Sequence, residues 1–155
     1  MADTAPGALN QSTENAALDD ALAAEHAAVW GYGVVGGKLR GDARQAASDA
    51  EAAHRDVRDQ VAALLDGRKA DVVDAQGAYA LPFPVLSDVD AAALAVVLED
   101  GVAAAWVRVL DQAAEHSTRE LAVGVLSATE VRAVGWRIAA GKTPVTTPFP
   151  GLPEK

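Results

Sequence analysis

The stretch Leu18-Asp19-Asp20-Ala21-Leu22-Ala23-Ala24-Glu25-His26-Ala27-Ala28-Val29-Trp30-Gly31-Tyr32 decides how this chain is read. Leu18, Leu22, Glu25, Val29 and Tyr32, continued by Gly36 and Leu39, step forward by four and three, which puts them on one face of a helix. Glu25 takes a place where that pattern calls for an apolar side chain. Burying a bare carboxylate is costly, so in such a place it must find a proton, a partner or a metal.

Three later stretches repeat the feature. A second helix is expected from Asp42, as N-cap, to about Asp66, with an inner stripe of Ala47, Ala50 with Glu51, His54, Val57, Val61, Leu64 and Leu65. Glu51 and His54 are three apart and share a face. A third helix starts near Ser87 or Asp88 and carries Ala92, Ala95, Glu99, Val102, Trp106, Val109 and Ala113 inward. A fourth follows the capping-box pattern Ser117-Thr118-Arg119-Glu120, with Val123, Leu126, Glu130, Ala133 and Val134 as its stripe, and closes at Gly141. The first helix is expected from Ser12 or Thr13 to about Arg40.

Between residues 67 and 87 the helical pattern stops, punctuated by Gly67, Gly77, Pro82 and Pro84. A connection this long is unusual between neighbouring antiparallel helices and suits a crossover from one end of a bundle to the other. Tyr79, Leu81 and Phe83 are expected to lie along the outside. The fold expected is all-α: an antiparallel four-helix bundle over 14–140. A loose lead-in over 1–13 precedes it, and a Pro-rich tail over 141–155 docks on it through Phe149 and Leu152.

Composition narrows the function. The 155 residues carry 13 basic and 22 acidic side chains, a net charge of −9, which argues against nucleic acid and against an anionic membrane surface. No cysteine is present, so disulfides and thiolate metal sites are excluded. No stretch has the uninterrupted apolar length of a membrane span, and Met1 to Ala16 shows no apolar leader, so the cytoplasm is the expected compartment. Gly31, Gly33, Gly36 and Gly37 each cost a helix roughly 1 kcal/mol against alanine. They are tolerated where another backbone comes close. Packing inside the bundle is the preferred reading, and contact in a homodimer is the other.

Depth along the helices brings the acidic residues together. Glu25 lies 16 positions before the turn at residue 41 and His54 13 after it; at ~1.5 Å per residue the heights differ by only ~4–5 Å. Glu51 lies within about two turns of the same level. Glu99 lies 17 positions before the turn at residue 116 and Glu130 14 after it, again within ~5 Å. Glu25, Glu51, His54, Glu99 and Glu130 are the candidate site. Carboxylates with an imidazole suit iron or manganese.

With Ala24-Glu25-His26-Ala27, the loop Tyr79-Ala80-Leu81-Pro82-Phe83-Pro84 and the tail Phe149-Pro150-Gly151-Leu152-Pro153, the chain resembles the ferritin-like superfamily, in particular an uncharacterised, alanine-rich actinobacterial branch of it. The resemblance covers nearly the whole chain. It implies that Glu25 corresponds to the first-helix ligand, Glu51 with His54 to the second-helix motif, Glu99 to the third-helix ligand and Glu130 to the first half of the fourth-helix motif. Ala133 stands where that motif has histidine. One metal position is thereby complete and the second lacks a ligand. If metal is bound, the implied chemistry is oxygen, peroxide or iron oxidation, so whether the protein is an enzyme depends on the metal. The alternative is a metal-free structural or protein-interaction bundle, its glutamates held by arginines such as Arg58, Arg132 or Arg137. His26 and His116 are expected at the surface. Trp30, Trp106 and Trp136 are expected to serve packing alone.

Overall fold

Asn10 opens the first helix with a reciprocal cap. Its side chain accepts the Thr13 N–H at 3.0 Å, and its own N–H reaches the Thr13 hydroxyl. The computed structural model describes residues 10–153, and the described residues form four helices and no strand: α1 (Gln11–Lys38), α2 (Gly41–Gly67), α3 (Asp88–Gln112) and α4 (His116–Ala139). The lead-in expected over 1–13 lies outside the described residues as far as residue 9. None of the described helices is long and apolar enough to cross a membrane.

Ser87 caps α3, with Asp90 completing its capping box. The other two expected caps do not form. Asp42 falls inside the first turn of α2, whose cap position is Arg40; the sharp reversal is made by Gly41 at φ +55°, a conformation that glycine adopts without a steric cost. The box expected at Ser117–Glu120 is absent because α4 begins earlier, at His116, with Glu115 at the cap position and Ser117 already inside the first turn. Glu14 of α1, fully buried, accepts the N–H groups of Ala114 and Glu115 at 2.7 and 2.8 Å, just ahead of α4. It also accepts the Thr118 hydroxyl at 2.6 Å and pairs with Arg68, just past the end of α2, at 2.7 Å. Burial pushes the Glu14 carboxyl up, but these four partners outweigh it and hold it below the usual glutamate range.

The core falls into two clusters. One gathers Leu18, Leu22, Val61, Leu65, Trp106 and Val109; the other gathers Tyr32, Val35, Leu39, Val85, Leu94 and Trp136. Between them in the chain stand His54 on α2, Glu99 on α3 and Thr129 on α4, and on α1 Glu25 falls in the last turn of the first cluster, between Leu22 and Ala28; all four are buried. α1 packs on α2 and α3, and α3 on α4. Gly31 serves the α1–α3 contact: a Cβ there would lie 2.7 Å from the Leu98 side chain, so the packing reading of that glycine holds.

The connection between α2 and α3 follows α1. The Val73 N–H donates to Asp19 at 2.7 Å, and His26 Nε2–H donates to the Val73 carbonyl at 3.1 Å. The Tyr79 ring lies 5.8 Å from that of Trp30, and Val85 is buried in the second cluster. His26 is therefore part-buried, tying the connection to α1, and not a surface residue as its angle from Glu25 suggested. The tail is seated by Gly151 and not by Phe149 and Leu152, which are 68% and 53% exposed. With φ at +77°, Gly151 approaches α3 so closely that a Cβ would lie 2.5 Å from the Ala103 carbonyl oxygen.

Removing the carboxylate of Glu14 strips the start of α4 and leaves Arg68 without its buried partner. Glu14→Ala is expected to cost about 3 kcal/mol, the scale of one to two charge-assisted hydrogen bonds, with Glu14→Gln between it and the parent. Urea unfolding midpoints at neutral pH measure both.

Candidate functional site: a buried ion-pair layer

α1, α2 and α3 each turn one ionisable side chain into the gap between the two core clusters. Glu25 Oε2 lies 2.6 Å from His54 Nδ1, and Glu99 Oε1 lies 3.2 Å from His54 Nε2, so the imidazole stands between two carboxylates. All three side chains are essentially inaccessible. The Trp106 indole N–H donates to Glu25 Oε1 at 2.7 Å. Glu99 Oε1 accepts twice more, from the Tyr32 hydroxyl and from Arg132 Nε, the latter at 2.9 Å. Arg132 reaches in from α4, and its Nη2 donates to the buried Thr129 hydroxyl at 3.3 Å. The Tyr32 ring also stacks on the His54 ring with centroids 5.4 Å apart.

The charges follow from these contacts. Burial alone would drive His54 towards its neutral form, but the hydrogen bonds and charges of Glu25 and Glu99 overcome this and raise its pKa. A protonated ring donates from both nitrogens, as both carboxylates require. For Glu99, burial favours the neutral acid, while His54 and Arg132 more than compensate and hold its pKa below the ordinary value. Burial first, then the Glu99 charge, raises the Tyr32 pKa, so its hydroxyl remains a donor. Two carboxylates, an imidazolium and a guanidinium make a layer of zero net charge.

Of the five expected site residues the structure joins three: Glu25, His54 and Glu99. Glu51 does not join them. On α2 the inner stripe is Ala47, Ala50, His54, Val61 and Leu65, and Glu51 lies about 60° off it, on the shoulder of the helix. From there it pairs with Arg55, one turn on, at 2.5 Å. Glu130 is also turned away. The buried stripe of α4 is Thr118, Ala122, Val125, Thr129, Ala133 and Trp136, one position out of step with the expected one, and a single position is about 100° of rotation. Glu130 pairs instead with Arg137 at 2.6 Å, which also binds Asp100 at 2.6 Å and the Val145 carbonyl at 3.1 Å. Arg132, which with Arg58 and Arg137 was named for the metal-free alternative, does hold Glu99, and Arg137 holds Glu130, whereas Arg58 pairs with Asp59; Tyr32 and Trp106 are members of the layer that the sequence pattern did not single out as such. Trp106 and Tyr32 sit on apolar stripes, where the indole N–H and phenol O–H are the only signals that a buried polar partner is needed. Glu14 carried a clearer signal, since it extends the stripe of Leu18 and Leu22 back by four.

The donor set does not fit a metal ion. The two carboxylates lie on opposite sides of the imidazole, at its two nitrogens, so they and a ring nitrogen cannot converge on one ion. The guanidinium of Arg132 places a second cation against Glu99. Glu99 Oε2 and Glu130 Oε2 are buried without a hydrogen-bond partner, yet among the described residues no three His, Asp or Glu side chains are placed to share an ion.

Fold and layer together define a class: an all-α four-helix protein whose interior is crossed by a neutral network of paired charges. Residues 17–154 match the family described as a domain of unknown function, DUF4439, and the chain belongs to that family. It is similar to a conserved hypothetical protein, Rv2844, from Mycobacterium tuberculosis, whose crystal structure superposes with a TM-score of 0.80. The two are 38% identical over 83% of this chain and 98% of that one. A comparison with curated proteins finds no match.

The layer predicts a bell-shaped dependence of stability on pH. His54 has a raised pKa in the fold, so its contribution is complete below the ordinary value of 6.5 and is lost as pH rises through the folded value. Glu99 and Glu14 have lowered values, so their contributions are complete above 4.5 and are lost as pH falls through the folded values. Melting temperature measured across pH is expected to peak between these limits. His54→Gln should flatten the alkaline limb. His54→Leu, which leaves two buried carboxylates facing each other, should cost roughly 3–5 kcal/mol near neutral pH.

Proposed function

We propose that this protein is a ferritin-like, antiparallel four-helix bundle in which an internal ion-pair layer stands where a metal centre would be, and that it acts as a structural or protein-interaction module. The observation that carries this reading is His54 held at both ring nitrogens by Glu25 and Glu99. An imidazole used in this way has no lone pair left for a metal. The bundle topology is supported by Glu25 meeting His54 across the turn at Gly41, and by the course of residues 73–85 along α1. It also explains how Glu14 at the start of α1 can reach the end of α2 and the start of α4.

The rival reading is an iron or manganese site built from Glu25, Glu51, His54, Glu99 and Glu130. It requires Glu51 and Glu130 to leave Arg55 and Arg137, His54 to give up a carboxylate, and Arg132 to withdraw. Each change separates a pair already formed, and three of the groups involved are fully buried.

Elemental analysis after anaerobic loading with Fe(II) or Mn(II) and desalting separates the two. The expected result is well below one metal per chain, with no iron oxidation on exposure to air. Retention of about two metals per chain, the number in a di-metal carboxylate bundle, would overturn the reading. A second consequence concerns stability. Replacing Glu25, His54, Glu99 and Arg132 together by apolar residues of similar volume removes every charge that has to be desolvated, but it leaves the buried Trp106 N–H and Tyr32 O–H without acceptors at about 1–3 kcal/mol each, so the variant should stay within about 4 kcal/mol of the parent and lose far less than the sum of the four single changes. Thermal and urea melts of the quadruple and single variants measure this.

A further inference from the structure

α4 presents an outer face without a charge. Every exposed position from 123 to 139 is apolar or small, on a chain of net charge −9. Val123, Val131 and Ile138 on this face are 53%, 75% and 63% exposed. The exposed side of α2 is unlike it, carrying Asp42, Arg44, Asp49, Arg55 and Asp56. Gly124, Val131 and Ile138 recur every seven residues, the spacing of a seam between two helices. Beside Val131 and Gly135 a groove of about 310 Å³ opens between α4 and α2, lined also by Ala43, Ala46, Trp136, Ala139 and the partly buried Arg132, whose guanidinium is paired with Glu99.

We propose that two copies of the chain associate through this face, α4 against α4 in opposite directions, about a two-fold axis passing by Val131. A two-fold interface must be self-complementary: each residue meets the one as far beyond the axis as it stands before it. In this register Ile138 of one copy faces Gly124 of the other, Val123 faces Ala139, and Ser127 faces Gly135, so large side chains meet small ones along the length. Val131 meets its own copy on the axis. The groove lies under the partner helix. The charges at the ends also match. Glu120, 69% exposed at the head of the face, comes to the end of the partner's α4, where the exposed Lys142 stands just beyond the helix. A parallel arrangement would set Glu120 against Glu120 and Ile138 against Ile138. The paired stretch, the 17 residues from 123 to 139, is only ~24 Å long, which gives less than the ~800 Å² per partner of a standard interface. The dimer is therefore at the small end of specific interfaces and a reversible one.

This deepens the interaction-module reading by naming the partner, and it is measured independently of metal. The chain has no cysteine, so Val131→Cys reports on the axis directly. Two helices in contact hold axial residues at Cα separations of roughly 4–7 Å, within disulfide range. Under mild oxidation Val131→Cys should cross-link to a dimer at least ~10 times faster than Leu86→Cys, which is 78% exposed at the start of α3 and off this face. In sedimentation equilibrium the parent should show a reversible monomer–dimer equilibrium. Val131→Glu should weaken it by at least ~10-fold with an unchanged melting temperature. Glu120→Lys should weaken it as well, and Glu120→Lys with Lys142→Glu should restore it. A chain that stays monomeric to about 1 mM, or a dimer indifferent to Val131→Glu, overturns the proposal. A monomer without metal would overturn this inference and leave the proposed function standing, whereas a metal-binding dimer would do the reverse.

Discussion

The rest of the molecule depends on one imidazole held between two carboxylates. His54, Glu25 and Glu99 come from three different helices, and none can reach water. Once such charges are buried, every one must be answered, because an unpaired one costs several kcal/mol. A slip of α1, α2 or α3 by one turn would leave a carboxylate in hydrocarbon. Packing among alanines and valines does not penalise such slips strongly, since small side chains interchange with little loss of contact. The layer therefore sets the relative height of the helices in a core that is otherwise permissive.

The same logic recurs at the periphery. Glu14 ties α1 to the end of α2 and the start of α4, and Arg137 ties α4 to α3 and to the tail through Glu130, Asp100 and the Val145 carbonyl. Burial lowers the Arg137 pKa, but its two carboxylate partners raise it by more, so it stays charged where it is held. Each of these groups does the work of a cap or a bulky core side chain. Glu14 fixes the backbone just ahead of α4, which has no side-chain cap, and the tail needs no aromatic anchor because Gly151 lets its backbone rest on α3. In a chain with few aromatics, charge pairing and close backbone approach carry the specificity that large side chains carry elsewhere.

The helices were legible because their signals are local. The expected starts of all four, and the ends expected for α1, α2 and α4, lie within about two residues of the observed ones, and the stripe of α3 is buried at every position named for it. The stripe of α4 was read one position out of step because Val123, Leu126 and Val134 lie among alanines and glycines that accept either face inward. Val123 and Val131 remain outside, and Thr129 takes the interior place assigned to Glu130. Glu51 was misplaced for a related reason: a spacing of three keeps two residues on one side of a helix but about 60° apart, enough to put one inside and one on the shoulder.

The sequence by itself determined that the chain is helical, where each helix runs, that a long connection joins the second to the third, and that Glu25, His54 and Glu99 lie inside. Periodicity and the penalty on buried charge suffice for that. Only the tertiary structure decided what those three residues meet. A glutamate inside a bundle satisfies the same local pattern whether its partner is a metal, a proton or an arginine from another helix. Which partner it finds depends on side chains far away in the chain: Trp106 is 81 residues from Glu25, and Arg132 is 33 from Glu99. Spacing along one helix carries no record of these contacts, because they exist only once the helices are packed together.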